Sequence, residues 1–303
     1  MTQPQKTKYI YILSQRYSGS TLLSFLLATN PNISTIGERR KFHIHSLVAD
    51  ENNKMKCSCG ELFKDCEYWS TIKNIILTKV TKADLVRNAT EFQLFANKHL
   101  NKIAHDITIF FLLSGTNIIP FKDRIEKLNA FNLLLVESIL DLDNNEVFLD
   151  SSKTISHVLF LSLIEKLDLH VVWLTRDPRA QINSAIKYNK YSVTKASKLW
   201  VNEMKQNEAV LEKRKIKYFK LRYEDLCENT DQKMRDLMTF FGLDKDSYSL
   251  NFRDRKQHIM GNFAMRLGSD KKIEVRNEWR NDLTDEEVKK IEKLTKSYEI
   301  YNV

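Results

Sequence analysis

Glycine and proline are scarce. The 303-residue chain holds 7 Gly and 4 Pro, about a third and about a quarter of their usual shares, which excludes collagen-like, proline-rich and Gly/Ser-linker architectures. Each glycine is therefore expected where the backbone needs one. No apolar run approaches the roughly 20 residues that span a bilayer, and the polar start, Met1 to Lys8, lacks the apolar stretch of a secretory signal. The expectation is a cytoplasmic protein without membrane contact.

What is present points to a folded enzyme-sized domain. Hydrophobic residues make up 42% of the chain and aromatics 10%, too many for disorder. At roughly 150 residues per domain, the length allows one large domain or two small ones. Lys and Arg exceed Asp and Glu by 48 to 39, a net charge of +9. This suits an anionic partner, but basic residues alternate with acidic ones, as in Glu38-Arg-Arg-Lys41. A solvated surface is favoured over a nucleic-acid stripe, and no RNA-binding aromatic motif occurs.

The first strong element, Tyr9-Ile-Tyr-Ile-Leu13, reads as a buried parallel strand. A small-residue turn separates it from the helix-like Thr21–Ala28, which stops before Asn30-Pro31. Similar strands recur at Glu146–Leu149, Leu169–Leu174 and Tyr218–Leu221, each followed by helix-like sequence. This alternation predicts an α/β fold, a P-loop-like parallel sheet flanked by helices. Between about 62 and 140 no convincing strand occurs, and segments such as Phe92–Leu100 and Phe131–Leu140 predict a mainly helical insertion or lid. Further helices are expected at Val193–Lys213 and after the capping box Thr284-Asp-Glu-Glu287.

A turn between a strand end and a helix N-terminus offers unpaired N–H groups and the positive end of the helix dipole to an anion. Here Arg16-Tyr-Ser-Gly-Ser-Thr21 adds a cation, hydroxyls and a glycine. Against the pattern G-x-x-x-x-G-K-[ST], Gly19 and Thr21 fit, while Ser14 replaces the first Gly and Ser20 the Lys. Losing that lysine disfavours an ordinary ATPase, GTPase or kinase. A second strand ends in Arg176-Asp-Pro-Arg179, with Pro178 suited to a helix N1 position and Ser184 eight residues after Arg176. Two anion sites on neighbouring strand ends suggest a ligand with two separated phosphates.

These segments resemble the sulfotransferases that use 3′-phosphoadenosine 5′-phosphosulfate (PAPS). Arg16-Tyr-Ser-Gly-Ser-Thr-Leu-Leu23 resembles the family's 5′-phosphosulfate loop, commonly R-S-G-T-T-L-L, and Leu174–Ser184 its 3′-phosphate motif. Arg222-Tyr-Glu-Asp-Leu226 and Gly261-Asn-Phe-Ala-Met-Arg266 before Trp279-Arg280 are similar to later landmarks. The bacterial and tyrosylprotein branch is the nearest in pattern. The resemblance implies one sulfotransferase domain over 1–303, with Arg16, Tyr17, Ser18, Gly19, Ser20, Thr21, Arg176, Ser184, Gly261, Asn262 and Arg266 holding PAPS. It implies Glu38, after Gly37, as the base, with Lys153 of Asp150-Ser-Ser-Lys153 and Arg16 stabilising the transferring group. One departure is Tyr17, which occupies the place where the family's cation usually stands. His43 and His45 are rival bases.

A sulfuryl group carries less charge than a γ-phosphoryl group, so protein cations and N–H donors suffice without Mg²⁺ and no metal is expected. Cys57, Cys59 and Cys66 form C-x-C-x6-C, and three ligands without a neighbouring fourth make a weak zinc case. Reduced thiols are the default, a disulfide from Cys66 to Cys57 or Cys59 the alternative. The implied acceptor is a small molecule bearing a hydroxyl or amine, natural products such as alkaloids among them. An atypical P-loop small-molecule kinase and a non-catalytic nucleotide-binding module are the rival readings. Nothing in these residues fixes an oligomeric state.

Overall fold

The computed structural model describes residues 6–39, 55–81, 94, 98–116 and 118–298. His43 and His45 lie outside these residues. Five strands form one sheet: β1 (Thr7–Ser14), β2 (Ile33–Thr35), β3 (Val147–Lys153), β4 (Leu167–Thr175) and β5 (Tyr218–Arg222). Their order is β2-β3-β1-β4-β5, and every pair is parallel. The expected α/β sheet is therefore present, with β1 at its centre.

The reason β1 is central lies in its side chains, which alternate between two faces that are both apolar. Tyr9, Tyr11 and Leu13 enter the core on one face, Ile10 and Ile12 the core on the other, and all five are at most 1% exposed. Helix α1 (Ser20–Leu27) follows β1 and is buried along its whole length. Between β2 and β3 the described residues form helices α2 (Glu67–Lys79), α3 (Lys98–Leu113) and α4 (Lys122–Asp143). Trp69, Ile72 and Ile76 of α2 enter the same core as Tyr9, together with Ile125, Leu135 and Ile139 of α4.

Helices α5 (Ile155–Leu161), α6 (Pro178–Asn189) and α7 (Val193–Lys213) come next. Pro178 takes the first turn of α6, and the Asp177 side chain accepts from the Arg179 N–H as its cap. α7 has the bounds its pattern predicts, opened by Ser192. After β5 come α8 (Tyr223–Glu228), α9 (Thr230–Phe241), α10 (Phe263–Leu267), α11 (Trp279–Asp282) and α12 (Asp285–Thr295). The capping box at Thr284 and Glu287 is formed in both directions.

The connection out of β1 runs to one side of the sheet, to β2, and that out of β4 to the other, to β5. The carboxyl ends around β1 therefore flank the crevice in which open α/β sheets bind ligands.

Candidate functional site

The turn after β1 sits at that crevice. Gly19 caps α1 with φ +88° and no side-chain cap, leaving the first N–H groups of the helix for another partner. A Cβ at Gly19 would lie 2.7 Å from Cε2 of Tyr223, so only glycine lets the turn pack on that ring. Tyr17 is also left-handed, φ +65°. Its ring stacks on Tyr188 at 5.5 Å, and its hydroxyl donates to Asn189 Oδ1 at 2.5 Å, which ties the turn to the end of α6. Arg16 is exposed, and its carbonyl accepts from Gln181 Nε2 at 2.9 Å. The Ser18 hydroxyl is buried without a partner among the described residues.

Arg176, at the end of β4, reaches this turn. It donates from Nη1 to the Tyr17 carbonyl and from Nη2 to the Arg276 carbonyl, both at 2.8 Å. Its guanidinium lies 4.6 Å over the Tyr223 ring, and its buried Nε has no partner among the described residues. Ser184 instead donates to Ala180 of its own helix at 3.0 Å. Arg176 thus meets the first turn directly, while no hydrogen bond joins it to Ser184.

The third group gathers at the ends of β2 and β3. Lys153 closes β3 with φ +79°, and its Nζ donates to Glu38 Oε1 at 2.6 Å. Both side chains are largely buried, 13% and 6% exposed. Gly37 allows this approach: it has φ +73°, and a Cβ there would run into Met260, 2.8 Å from its N and inside contact with its carbonyl oxygen. The Glu38 N–H donates to the Met260 carbonyl at 3.2 Å, and the Met260 N–H to Ile36 at 2.8 Å. The next residue, Arg39, pairs with Asp150 (Nε to Oδ2, 3.2 Å) at side-chain exposures of 3% and 0%. Asp150 also accepts from the Tyr9 hydroxyl at 2.9 Å and the Ser152 N–H at 2.8 Å. Burial and the neighbouring Asp150 charge hold the Tyr9 phenol far above its ordinary pKa, so it stays a donor.

Residues 10–247 match the model of the sulfotransferase family. The chain belongs to the sulfotransferase family. Sulfuryl transfer in general follows from that membership. Among solved structures, this sulfotransferase is similar to the sulfotransferase domain of the Synechococcus PCC 7002 olefin synthase. Identity is 15%, covering 98% of this chain and 96% of that one, with a TM-score of 0.43. No curated protein matches. No helix among the described residues is long and apolar enough to cross a membrane.

The later landmarks of the sulfotransferase come back to the same crevice. The Asn262 N–H donates to Thr21 Oγ1 at 3.1 Å, and Asn262 caps α10 through the Met265 N–H. Gly261 lies so close to Thr21 that a Cβ would be 2.8 Å from its Oγ1. Arg266 is 3% exposed and stands 5.4 Å over the Phe63 ring. Burial lowers its pKa.

Two features escape sequence reasoning. Glu203 of α7 carries a carboxyl whose pKa burial raises to about 7, with Arg16 as the opposing charge. The spacing Trp200-x-x-Glu203 on an amphipathic helix puts both on one face, which is the only available signal. The other is His258, whose Nδ1 lies beside the cysteines of C-x-C-x6-C. It meets the Cys57 and Cys66 thiols across 201 and 192 residues of chain, a separation that no local motif reveals. All four cysteines are free thiols.

Proposed function

We propose that the protein transfers a sulfuryl group from PAPS to a hydroxyl or amine of a small-molecule acceptor, with Glu38 as general base. The observation that carries this reading is the buried Glu38–Lys153 pair, 2.6 Å apart, on strand ends beside the α1 turn. A carboxylate and an ammonium together match the two demands of the reaction, proton removal from the nucleophile and neutralisation of charge on the transferring group.

The donor fits the residues present. The start of α1 has no side-chain cap, and the buried Ser18 hydroxyl and Arg176 Nε have no partner among the described residues; a buried polar group in that state is costly unless something completes it. Ser18 to Thr21 with Arg16 would hold the 5′ end, Arg176 and Ser184 the 3′-phosphate, and Gly261, Asn262 and Arg266 support the crevice from the far side. PAPS supplies an activated sulfuryl group. Glu38 accepts the acceptor's proton as the new bond to sulfur forms and the bond to the phosphate oxygen breaks, and Lys153 and Arg16 offset the charge left on the leaving oxygen. Helices α2 to α4, between β2 and β3, are the lid over the acceptor.

Calorimetry with 3′-phosphoadenosine 5′-phosphate, joined to a sulfation assay over a broad acceptor panel, tests the proposal. Glu38→Gln is expected to bind the bisphosphate like the parent while losing turnover, and Arg176→Ala to bind it at least about tenfold more weakly. Failure of the parent chain to bind the bisphosphate or sulfate any acceptor, with ATP and Mg²⁺ stabilising it instead, favours the kinase reading. Normal binding by the parent without turnover favours a non-catalytic module.

A further inference from the structure

The cysteine cluster is made of residues to which the proposed transfer gives no role. Cys57 Sγ lies 3.5 Å and Cys66 Sγ 3.3 Å from His258 Nδ1, and Cys59 Sγ lies 3.8 Å from Cys66 Sγ. All four ligand atoms are within 4.8 Å of one another. A tetrahedral zinc ion with bonds of about 2.3 Å to sulfur and about 2.0 Å to nitrogen needs edges of about 3.8 Å between sulfurs and about 3.5 Å between sulfur and nitrogen. We propose that Cys57, Cys59, Cys66 and His258 bind one structural zinc ion.

Several surroundings fit an ion better than four idle side chains. The Trp69 indole N–H points at Cys57 Sγ from 3.3 Å, a donor of the kind that steadies a thiolate ligand. The Tyr68 ring stacks on the imidazole at 4.4 Å and 15° and fixes its plane. Thiolates with one imidazole are a soft set that selects zinc over the hard cations. Four protein ligands close the shell, which marks a structural rather than a catalytic site. A cavity of about 410 Å³ lined by Cys59, Cys66, Tyr68, Lys256 and His258 gives an ion a way in. Binding requires the three thiols to release their protons and moves no electrons.

The ion would tie the segment before α2 to residues 257–262. Ser58 already bridges them, accepting from the Ile259 N–H at 2.7 Å and donating to the Gln257 carbonyl. Two residues beyond His258, the Met260 carbonyl takes the Glu38 N–H. Zinc therefore anchors the strap on which Glu38 rests, from outside the crevice.

The test measures metal in the full-length chain purified under reducing conditions from zinc-supplied cells. Elemental analysis is expected to find about one zinc per chain. Replacement by Co²⁺ is expected to give the visible bands of a tetrahedral thiolate complex, a readout on the parent chain that needs no variant. Cys59→Ser and His258→Ala should each lose most of the metal, and His258→Cys should keep it, because a thiolate replaces the imidazole. Several results overturn the proposal: less than about a tenth of a zinc per chain with no cobalt bands, full metal content in a Cys59→Ser/His258→Ala double variant, iron in place of zinc, or a disulfide among the three cysteines in the fresh protein.

Discussion

Replacing Gly37 by Ala separates two costs that the structure assigns to the strand end carrying Glu38. The first is conformational: at φ +73° an L-residue pays about 1–2 kcal/mol in the left-handed region. The second is steric. The new methyl would sit 2.8 Å from Ile259 Cγ2 and from Met260 N, and closer still to the Met260 carbonyl. Relief of the two 2.8 Å contacts to an ordinary 3.5 Å separation needs a shift of about 0.7 Å, and relief from the carbonyl oxygen needs more. The Ile259 side chain can turn, but Met260 presents backbone, held by its bonds to Ile36 and Glu38. Overpacking of this kind costs about 1–3 kcal/mol, so the sum is about 2–5 kcal/mol. Gly115 is the control, left-handed at φ +77° with nothing within 4 Å of a Cβ, and Gly115→Ala should pay only the conformational part, about 1–2 kcal/mol. Urea unfolding of both variants beside the parent reads the difference. A shift that displaces the Glu38 N–H from Met260 moves the carboxylate too, and about 1 Å of misplacement costs on the order of 10²-fold in turnover. If Gly37→Ala unfolds within about 0.5 kcal/mol of Gly115→Ala, the close packing of residues 259–260 on this turn is wrong.

The buried pair under the site gives a second expectation: Asp150→Asn removes the carboxylate paired with the Arg39 guanidinium, which is 3% exposed, and should cost about 3–5 kcal/mol in urea unfolding. Lys153→Ala removes the ammonium yet keeps a Cβ at φ +79°, whereas Lys153→Gly removes both the ammonium and the Cβ. Both variants should lose turnover, and Gly should unfold about 1 kcal/mol later than Ala. Glu203 sets a pH expectation. Its folded pKa of about 7 stands above the ordinary 4.5, so the native state holds the proton more tightly, and stability falls as pH rises from about 4.5 through about 7. Glu203→Gln should flatten that fall, by at most about 3 kcal/mol. Parallel slopes for parent and variant between pH 5 and pH 8 would refute it.

Most of the sheet is legible because its strands are apolar on both faces. The runs at Tyr9, Leu169 and Tyr218 overlap β1, β4 and β5, and the pattern of α7 gives its bounds. β3 is longer than its apolar run, continuing from Leu149 through Asp150 to Lys153. Polar residues disguise it, since Asp150 and Ser152 are fully buried only because Arg39, Tyr9 and the local backbone satisfy them. β2 is only Ile33 to Thr35, too short for any period to register. The site divides in the same way. The turn at Arg16–Thr21 and the segment at Arg176 are contiguous motifs, whereas Met260 under Glu38, Tyr223 under Gly19 and His258 beside the cysteines are long-range contacts.

Four left-handed residues, Tyr17, Gly19, Gly37 and Lys153, lie at the carboxyl ends of β1, β2 and β3. Two are glycines where packing forbids a Cβ, against Tyr223 and Met260. The other two pay about 1–2 kcal/mol each for keeping a side chain, and in both cases the side chain has a task that glycine cannot perform. Tyr17 anchors the turn to Tyr188 and Asn189, and Lys153 reaches Glu38. Left-handed backbone persists where surrounding contacts over-determine it. For Tyr17 those contacts include its carbonyl bond to Arg176. The left-handed backbone thus falls on the strand ends that carry the α1 turn and the Glu38–Lys153 pair.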